Sequence, residues 1–145
     1  MGFLERFRLG NGAMKPRIRA ELESEGLVLV EEGLQGSIRY DRFKAPGKRF
    51  YGKVAGERFA IGLSEERFVV YCRSGSVELM DSPYTSARLA ALDVSVEDGD
   101  RLLLRVDYDR MGEPNVSGTI TVRAHTPRAG EIAEELRSRI AAGAT

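Results

Sequence analysis

Residues 59–71, FAIGLSEERFVVY, carry the clearest strand pattern of the chain. Large apolar side chains stand at Phe59, Ile61 and Leu63, with small residues between them. The alternation resumes at Phe68, after the short polar connection SEER. A period of two residues puts one set of side chains on one face of a strand, and a short polar connection is typical of a hairpin. The segment therefore predicts two antiparallel strands that are neighbours in one sheet.

The same pattern recurs on both sides of this hairpin. Short apolar or alternating runs are separated by Gly, Pro, Asp and Ser at the intervals that an antiparallel sheet requires. The pair Asp98-Gly99 is a strong turn signal. The predicted strands are residues 34–43, 58–63, 67–73, 76–80, 89–96, 101–109 and 116–124, and residues 27–30 are a candidate for a further short one.

The end of the sequence predicts an amphipathic helix over residues 127–142. Thr126 is a favourable N-cap residue, and Pro127 suits the first helical position. Ile132 and Leu136 are four residues apart and belong to one apolar stripe. We expect this stripe to be buried against the sheet.

Two shorter helices are predicted before the first strand. Residues 16–25 begin with a proline, place Ile18 and Leu22 four residues apart, and precede Gly26 at the position of a C-terminal stop. The same apolar side chains also alternate, so a strand remains an alternative for this segment. Residues 3–9 gather their apolar side chains on one side of a further short helix.

The composition indicates one globular domain and excludes several classes of protein. Of 145 residues, 42% are hydrophobic and 30% charged, which is unlike a disordered or membrane-spanning chain. The 22 basic and 22 acidic residues balance, so we expect no nucleic-acid partner. One cysteine and one histidine predict neither an internal disulfide nor a structural zinc site. We expect no metal and no cofactor.

Seven antiparallel strands followed by an amphipathic helix must cover the stripe of the helix and manage two open sheet edges. A strongly curved sheet, or partly open barrel, with the helix across one end meets both requirements. We therefore expect an α+β domain with such a sheet over residues 33–124, closed by the C-terminal helix. The expected division is a helical N-terminal extension over residues 1–26 and the domain over residues 27–145.

This arrangement resembles the pleckstrin-homology-like (PH-like) architecture, and four stretches are similar to bacterial PH-like domains. They are EGLVLVEEG at 25–33, RFKAPGKRF at 42–50, the hairpin at 59–71 and TPRA at 126–129. The resemblance covers residues 25–140 and rests on patterns of fold and turn, without a catalytic motif. It implies a PH-like curved sheet and a role as a binding or assembly module.

Residues 39–53 form a concentrated basic segment in a protein of zero net charge. Six basic residues accompany one acidic residue and are interleaved with Tyr40, Phe43, Phe50 and Tyr51 around a Pro-Gly turn. Basic side chains on a loop bind phosphate or an anionic membrane surface, and aromatic rings enter the interface. In eukaryotic PH domains the loop between the first two strands binds phosphoinositides, and the resemblance gives this segment the comparable place. The candidate anion-binding residues are Arg42, Lys44, Lys48, Arg49 and Lys53.

A structural interpretation competes with the anion site. Strand alternation would bury Tyr40 or Phe43 in the core and leave the basic side chains solvated on the other face. Prokaryotic membranes, moreover, do not normally offer phosphoinositides.

The aromatic residues near the start of the chain are candidates for a contact with a partner. Phe3, Leu4 and Phe7 would pack against the same domain or a second copy, or else anchor at a membrane interface beside Arg6 and Arg8.

No catalytic or metal-binding motif is recognisable. Cys72 alternates with apolar residues and is expected to be a protonated core thiol, and His125 ends the last strand without a partner that suggests a thiol mechanism. The acidic residues at 107–109 begin like a calcium loop, but Met111 and Gly118 stand where oxygen ligands belong. A hairpin turn is the better interpretation.

We therefore expect a non-enzymatic binding module that recognises a protein partner or forms a homo-oligomer, through its edge strands or its N-terminal helix. The alternative is peripheral binding of an anionic lipid or phosphate ligand through residues 39–53. A second alternative is a small enzyme that uses carboxylates in the mouth of the barrel. With no targeting segment recognisable, a cytoplasmic protein is expected, either free or at the inner face of the membrane.

Overall fold

A computed structural model describes residues 12–50, 52–112 and 114–143. The helices are α1 (Pro16–Ser24), α2 (Ala87–Ala90) and α3 (Ala129–Gly143), with a 3₁₀ helix at Tyr108–Met111. The strands are β1 (Leu27–Ala45), β2 (Lys48–Phe50), β3 (Lys53–Ser64), β4 (Arg67–Cys72), β5 (Val77–Pro83), β6 (Leu92–Glu97), β7 (Arg101–Asp107) and β8 (Ser117–His125).

The strands form one antiparallel sheet in the order β5-β4-β3-β1-β8-β7-β6, and β2 pairs with the end of β1 outside this path. The sheet curls into a half-barrel, and α3 packs on β6 and β7. The expected α+β fold, with a curved antiparallel sheet of seven strands and a C-terminal helix, is confirmed. The division of the chain at residue 26 stays a prediction.

The main core lies between the inner face of the sheet and α3. Phe59, Phe68 and Leu102 project from three strands into this core and are fully buried. Ile132 and Leu136 of α3 meet them as the predicted stripe and are also fully buried. Complete burial of such side chains contributes about 1.5–3 kcal/mol each, which explains why the helix packs against the sheet.

A second, smaller core lies on the outer face of the sheet, under α1. Ile18 and Leu22 pack against Val69 and Tyr71 there. A Cβ atom at Gly62 would lie 2.6 Å from Cδ1 of Leu22, so the glycine permits the close approach of helix and strand. The predicted helix over residues 16–25 is confirmed, and the strand alternative is wrong.

Arg67 ties α1 to the sheet. Its guanidinium donates to both carboxylate oxygens of Glu25 at 3.0 and 3.1 Å and to both of Asp81 at 2.7 and 2.8 Å. It also reaches Glu21 on α1 at 3.0 Å. Burial lowers the pKa of Arg67, but the hydrogen bonds to these carboxylates outweigh that effect and raise the pKa. The guanidinium of arginine carries donors on three nitrogens in one plane, and here each nitrogen contacts a different carboxylate.

Several predicted boundaries are wrong. β1 begins at Leu27 instead of residue 33 or 34, because a register shift beside Gly33, at φ 71°, lets the strand continue through the irregularity. Leu89, predicted in a strand, lies in α2, where the Ser86 side chain accepts a hydrogen bond from its amide. Tyr108 belongs to the 3₁₀ helix instead of the end of a strand.

The C-terminal helix also begins later than predicted, at Ala129 instead of residue 127. The predicted cap nevertheless stabilises its start, since Oγ1 of Thr126 accepts a hydrogen bond from the Arg128 amide at 3.0 Å.

Candidate anion-binding site

The basic segment folds as the hairpin of β1 and β2. Ala45 pairs with Lys48 across the turn, and Gly47 takes a φ of 75° that favours glycine. The described aromatic rings of the segment pack at the core: Phe43 is buried, Tyr40 and Phe50 lie against the core cluster, and the ring of Phe43 is nearly parallel to that of Phe50. The expected burial of Phe43 is confirmed, although a bulge in β1 and not regular alternation turns this side chain inward.

A β-bulge in β1 determines which side chains of this hairpin point into the core and which are exposed. Asp41 pairs with Thr119, but the next pairing joins Lys44 to Ser117, so β1 carries one extra residue. That residue, Arg42, has a φ of 49°, which costs a non-glycine residue about 1 kcal/mol or more. Since Tyr40 points inward, regular alternation would send Arg42 inward too. The bulge instead buries the next residue and leaves Arg42 exposed.

The five predicted anion-binding residues do not form one cluster. Lys44 and Arg49 line an open groove of about 890 Å³ between the hairpin tip and the loop at residues 114–117. Lys53 instead lies with its Nζ 4.5 Å from the centre of the Phe50 ring. Lys48 lies in β2 at the hairpin tip. Arg42 faces the other side of the hairpin.

Arg42 borders a second depression, of about 580 Å³, on the outer face of β1, β8 and β7. Three further arginines line it, one from each of these strands: Arg39, Arg105 and Arg123. Arg105 and Arg123 are not among the predicted anion-binding residues, because only strand pairing brings residues 39, 105 and 123 together. The sequence signal for this face is the alternation of polar residues at 119, 121 and 123, which indicates that one face of β8 is not part of the apolar core.

The four arginines differ in their partners. Nε of Arg39 donates to both carboxylate oxygens of Asp41 at 3.0 Å, and Arg123 lies 3.3 Å from Glu97. The side chains of Arg42 and Arg105 make no hydrogen bond or ion pair within the part of the chain that the structure describes. The depression therefore holds two guanidiniums without an ion pair among the described residues, and the carboxylates nearest to Arg105 in the sheet are Asp93 and Asp107.

The structure supports the prediction that Cys72 is a protonated thiol in the core. Cys72 is buried in β4, and burial, with a smaller contribution from the charge of Glu57, raises the pKa of its thiol to about 11. The thiol is therefore protonated at neutral pH. His125 is exposed at the end of β8.

The acidic residues at 107–109 stabilise a turn. Oδ1 of Asp107 accepts from the Asp109 amide at 3.0 Å, and Oδ1 of Asp109 accepts from the Gly118 amide at 3.1 Å. Over residues 12–50, 52–112 and 114–143, no group of three or more His, Cys, Asp or Glu could hold a metal ion.

The interior of the half-barrel contains a cavity of about 30 Å³ lined by apolar side chains and Tyr108. Ligand pockets commonly enclose about 300 Å³ or more, so this cavity is too small for a substrate. The predicted partner contacts Phe3, Leu4 and Phe7 lie outside the described residues, as does the predicted helix over residues 3–9.

None of the described helices has the length and apolar character needed to cross a membrane. No protein-family model matches the chain, and a search of curated proteins finds no significant relative.

Proposed function

We propose that this chain is a PH-like, non-enzymatic binding module that attaches to an anionic membrane surface through its basic hairpin. The strand order β5-β4-β3-β1-β8-β7-β6 and the position of α3 support the PH-like assignment, since that architecture is a bent antiparallel sheet with a helix across one end.

The groove at the hairpin tip is the part of the molecule that would contact the membrane surface. Lys44 and Arg49 are its charged lining residues, and no acidic residue is among the described residues that line it. Both side chains are exposed, and the two residues pair with each other across the hairpin of β1 and β2, so they can meet a flat surface together. A basic residue close to an anionic leaflet contributes about 1 kcal/mol, so Lys44 and Arg49 together would supply roughly 2 kcal/mol. This attraction is salt-dependent.

Sedimentation with vesicles tests the proposal. The wild-type protein is expected to sediment with phosphatidylserine-containing vesicles at low salt and to stay in solution with phosphatidylcholine alone. The variant Lys44→Ser/Arg49→Ser should lose most of this binding. Arg17→Ser/Arg110→Ser is the matched control, because it removes the same charge from exposed positions elsewhere. Absence of wild-type binding at low salt rules the proposal out.

Recognition of a protein partner or self-association is the second candidate, and the free edge of β5 favours it. β5 is one end of the sheet and pairs only with β4 among the described strands. At the other end, Nη2 of Arg137 in α3 donates to the Val94 carbonyl at 2.5 Å and covers part of the β6 edge. An unpaired edge accepts an added strand.

Sedimentation equilibrium over a wide concentration range tests self-association through this edge. A weight-average mass that rises with concentration supports it, whereas a constant mass of 16.0 kDa contradicts self-association.

A further inference from the structure

We propose that the outer face of β1, β8 and β7 is a second anion site, which holds the phosphate monoester group of a small soluble ligand between Arg42 and Arg105. This site lies apart from the groove at the hairpin tip, and the proposal does not rest on membrane binding.

Strand register brings the arginines around a common floor. Arg39 and Arg105 pair with opposite sides of Thr121, so the three residues form one row across β1, β8 and β7. Thr119, two residues back along β8, is buried like Thr121. Two strands that flank a third are about 10 Å apart, a gap that long arginine side chains can reach across. The small threonine side chains leave the depression between them, and its 580 Å³ is in the usual range of small-molecule sites.

The lining of the depression is positively charged. Its charged residues are four arginines and Asp41, which leaves a net of three positive charges. Two carboxylates beside the lining reduce this excess: Glu97, which pairs with Arg123, and Asp107, which lies next to Thr119. Asp93 lies opposite Arg105 but is paired with Arg110. A phosphate monoester carries about 1.5 to 2 negative charges at neutral pH, and its oxygens accept bidentate hydrogen bonds from guanidiniums.

The conformation of Arg42 agrees with a binding role. Its φ of 49° suits glycine or asparagine better than arginine. Its side chain is exposed, so burial of the side chain does not offset the cost of this backbone conformation. The bulge aims this side chain onto the face that Arg105 occupies.

Carboxylates around the depression favour a compact ligand over an extended anionic surface. Asp41 and Asp107 pair with opposite sides of Thr119 and form an acidic row next to the arginine row. Glu97 lies on the far side, beside Arg123. A membrane or a nucleic-acid backbone would bring several phosphates against these carboxylates, whereas a single phosphate between Arg42 and Arg105 borders only the row of Asp41 and Asp107.

Titration with inorganic phosphate, followed by amide NMR at constant ionic strength, tests the site. The wild-type protein should show saturable shifts at Thr119 and Thr121. Arg42→Gln/Arg105→Gln should weaken this binding by about tenfold or more, since both charged donors are lost. Lys44→Gln/Arg49→Gln removes equal charge from the groove and should leave the affinity unchanged. Non-saturating shifts in the wild type, or equal weakening by the two double variants, would overturn the proposal.

Two further comparisons separate the site from a diffuse positive field and from the membrane proposal. Arg42→Lys/Arg105→Lys keeps the charge but removes the planar fork, and should bind phosphate several-fold more weakly. If this lysine variant binds phosphate as tightly as the wild type, the guanidiniums are not the binding groups. The lysine variant also serves as a folded comparison if the glutamine variant is unstable. In vesicle sedimentation, Arg42→Gln/Arg105→Gln should behave as wild type. If it loses vesicle binding while Lys44→Gln/Arg49→Gln retains it, the ligand is a lipid surface and the small-ligand assignment is wrong.

Discussion

Replacing Gly118 by alanine tests whether the bulge between β1 and β8 depends on close backbone contact. Gly118 has a φ of 88° and lies directly against the bulged residue. A Cβ atom at this position would be 2.3 Å from the Arg42 carbonyl oxygen and 2.7 Å from that of Asp41. Both obstacles are backbone atoms, so a side-chain rotation cannot relieve them.

Two costs add in this variant. A left-handed conformation costs an L-residue about 1–2 kcal/mol, and forcing an atom into a filled space costs a further 1–3 kcal/mol, roughly 2–5 kcal/mol in all. At about 3 °C per kcal/mol for a chain of this length, the expected fall in Tm is roughly 6–15 °C.

The assay is urea and thermal unfolding followed by far-UV circular dichroism, because the chain has no tryptophan. Gly99→Ala is the matched control: its φ is 78°, but no atom lies within 4 Å of the added Cβ. It should therefore lose only the conformational cost, about 1–2 kcal/mol. Equal losses in the Gly118 and Gly99 variants would refute the role given to the backbone contact.

Three further predictions concern packing, charge and titration. Leu22→Ala removes a fully buried side chain under α1 and should lower the free energy of unfolding by about 3–5 kcal/mol, whereas Leu27→Ala, at a 37% exposed position, should cost far less. Arg67→Gln leaves the largely buried carboxylates of Glu25 and Asp81 without their cation and should lower the free energy of unfolding in urea by about 3 kcal/mol. The exposed Arg17→Gln should lower it by less than about 1 kcal/mol. Similar losses in the two variants would contradict the role of Arg67 in joining α1 to the sheet. With its pKa raised to about 11, Cys72 should be alkylated by iodoacetamide far more slowly in the folded than in the urea-unfolded protein at pH 8. Because the folded state keeps this proton to higher pH, stability should fall between about pH 9 and 11, and a flat profile there contradicts the assignment.

Much of the fold could be predicted because its signals are local. The alternation of Phe59, Ile61 and Leu63 and the Asp98-Gly99 turn are properties of a few consecutive residues. Asp98 and Gly99 take φ values of 55° and 78°, as a tight hairpin turn requires. The stripe around Leu136 needed only helical spacing.

Local pattern failed where packing overrode it. Leu89 has the neighbours of a strand residue, but it is buried in a short helix that leads from β5 into β6. The shift beside Gly33 hides the continuity of β1, because an irregular residue interrupts alternation without ending the strand. The outward orientation of Arg42 was not predictable from alternation either, because a bulge in β1 interrupts the alternation at this residue.

The amino-acid sequence by itself determined the curved antiparallel sheet, its C-terminal helix and the basic hairpin, since hydrophobic period, turn residues and charge runs act between neighbours along the chain. The tertiary structure decided which charges meet. Arg39, Arg105 and Arg123 are far apart in sequence and share one face only because β1 and β7 both pair with β8. Cross-strand register is set by bulges and core packing throughout the sheet, so no single segment contains the information that assembles the arginine face.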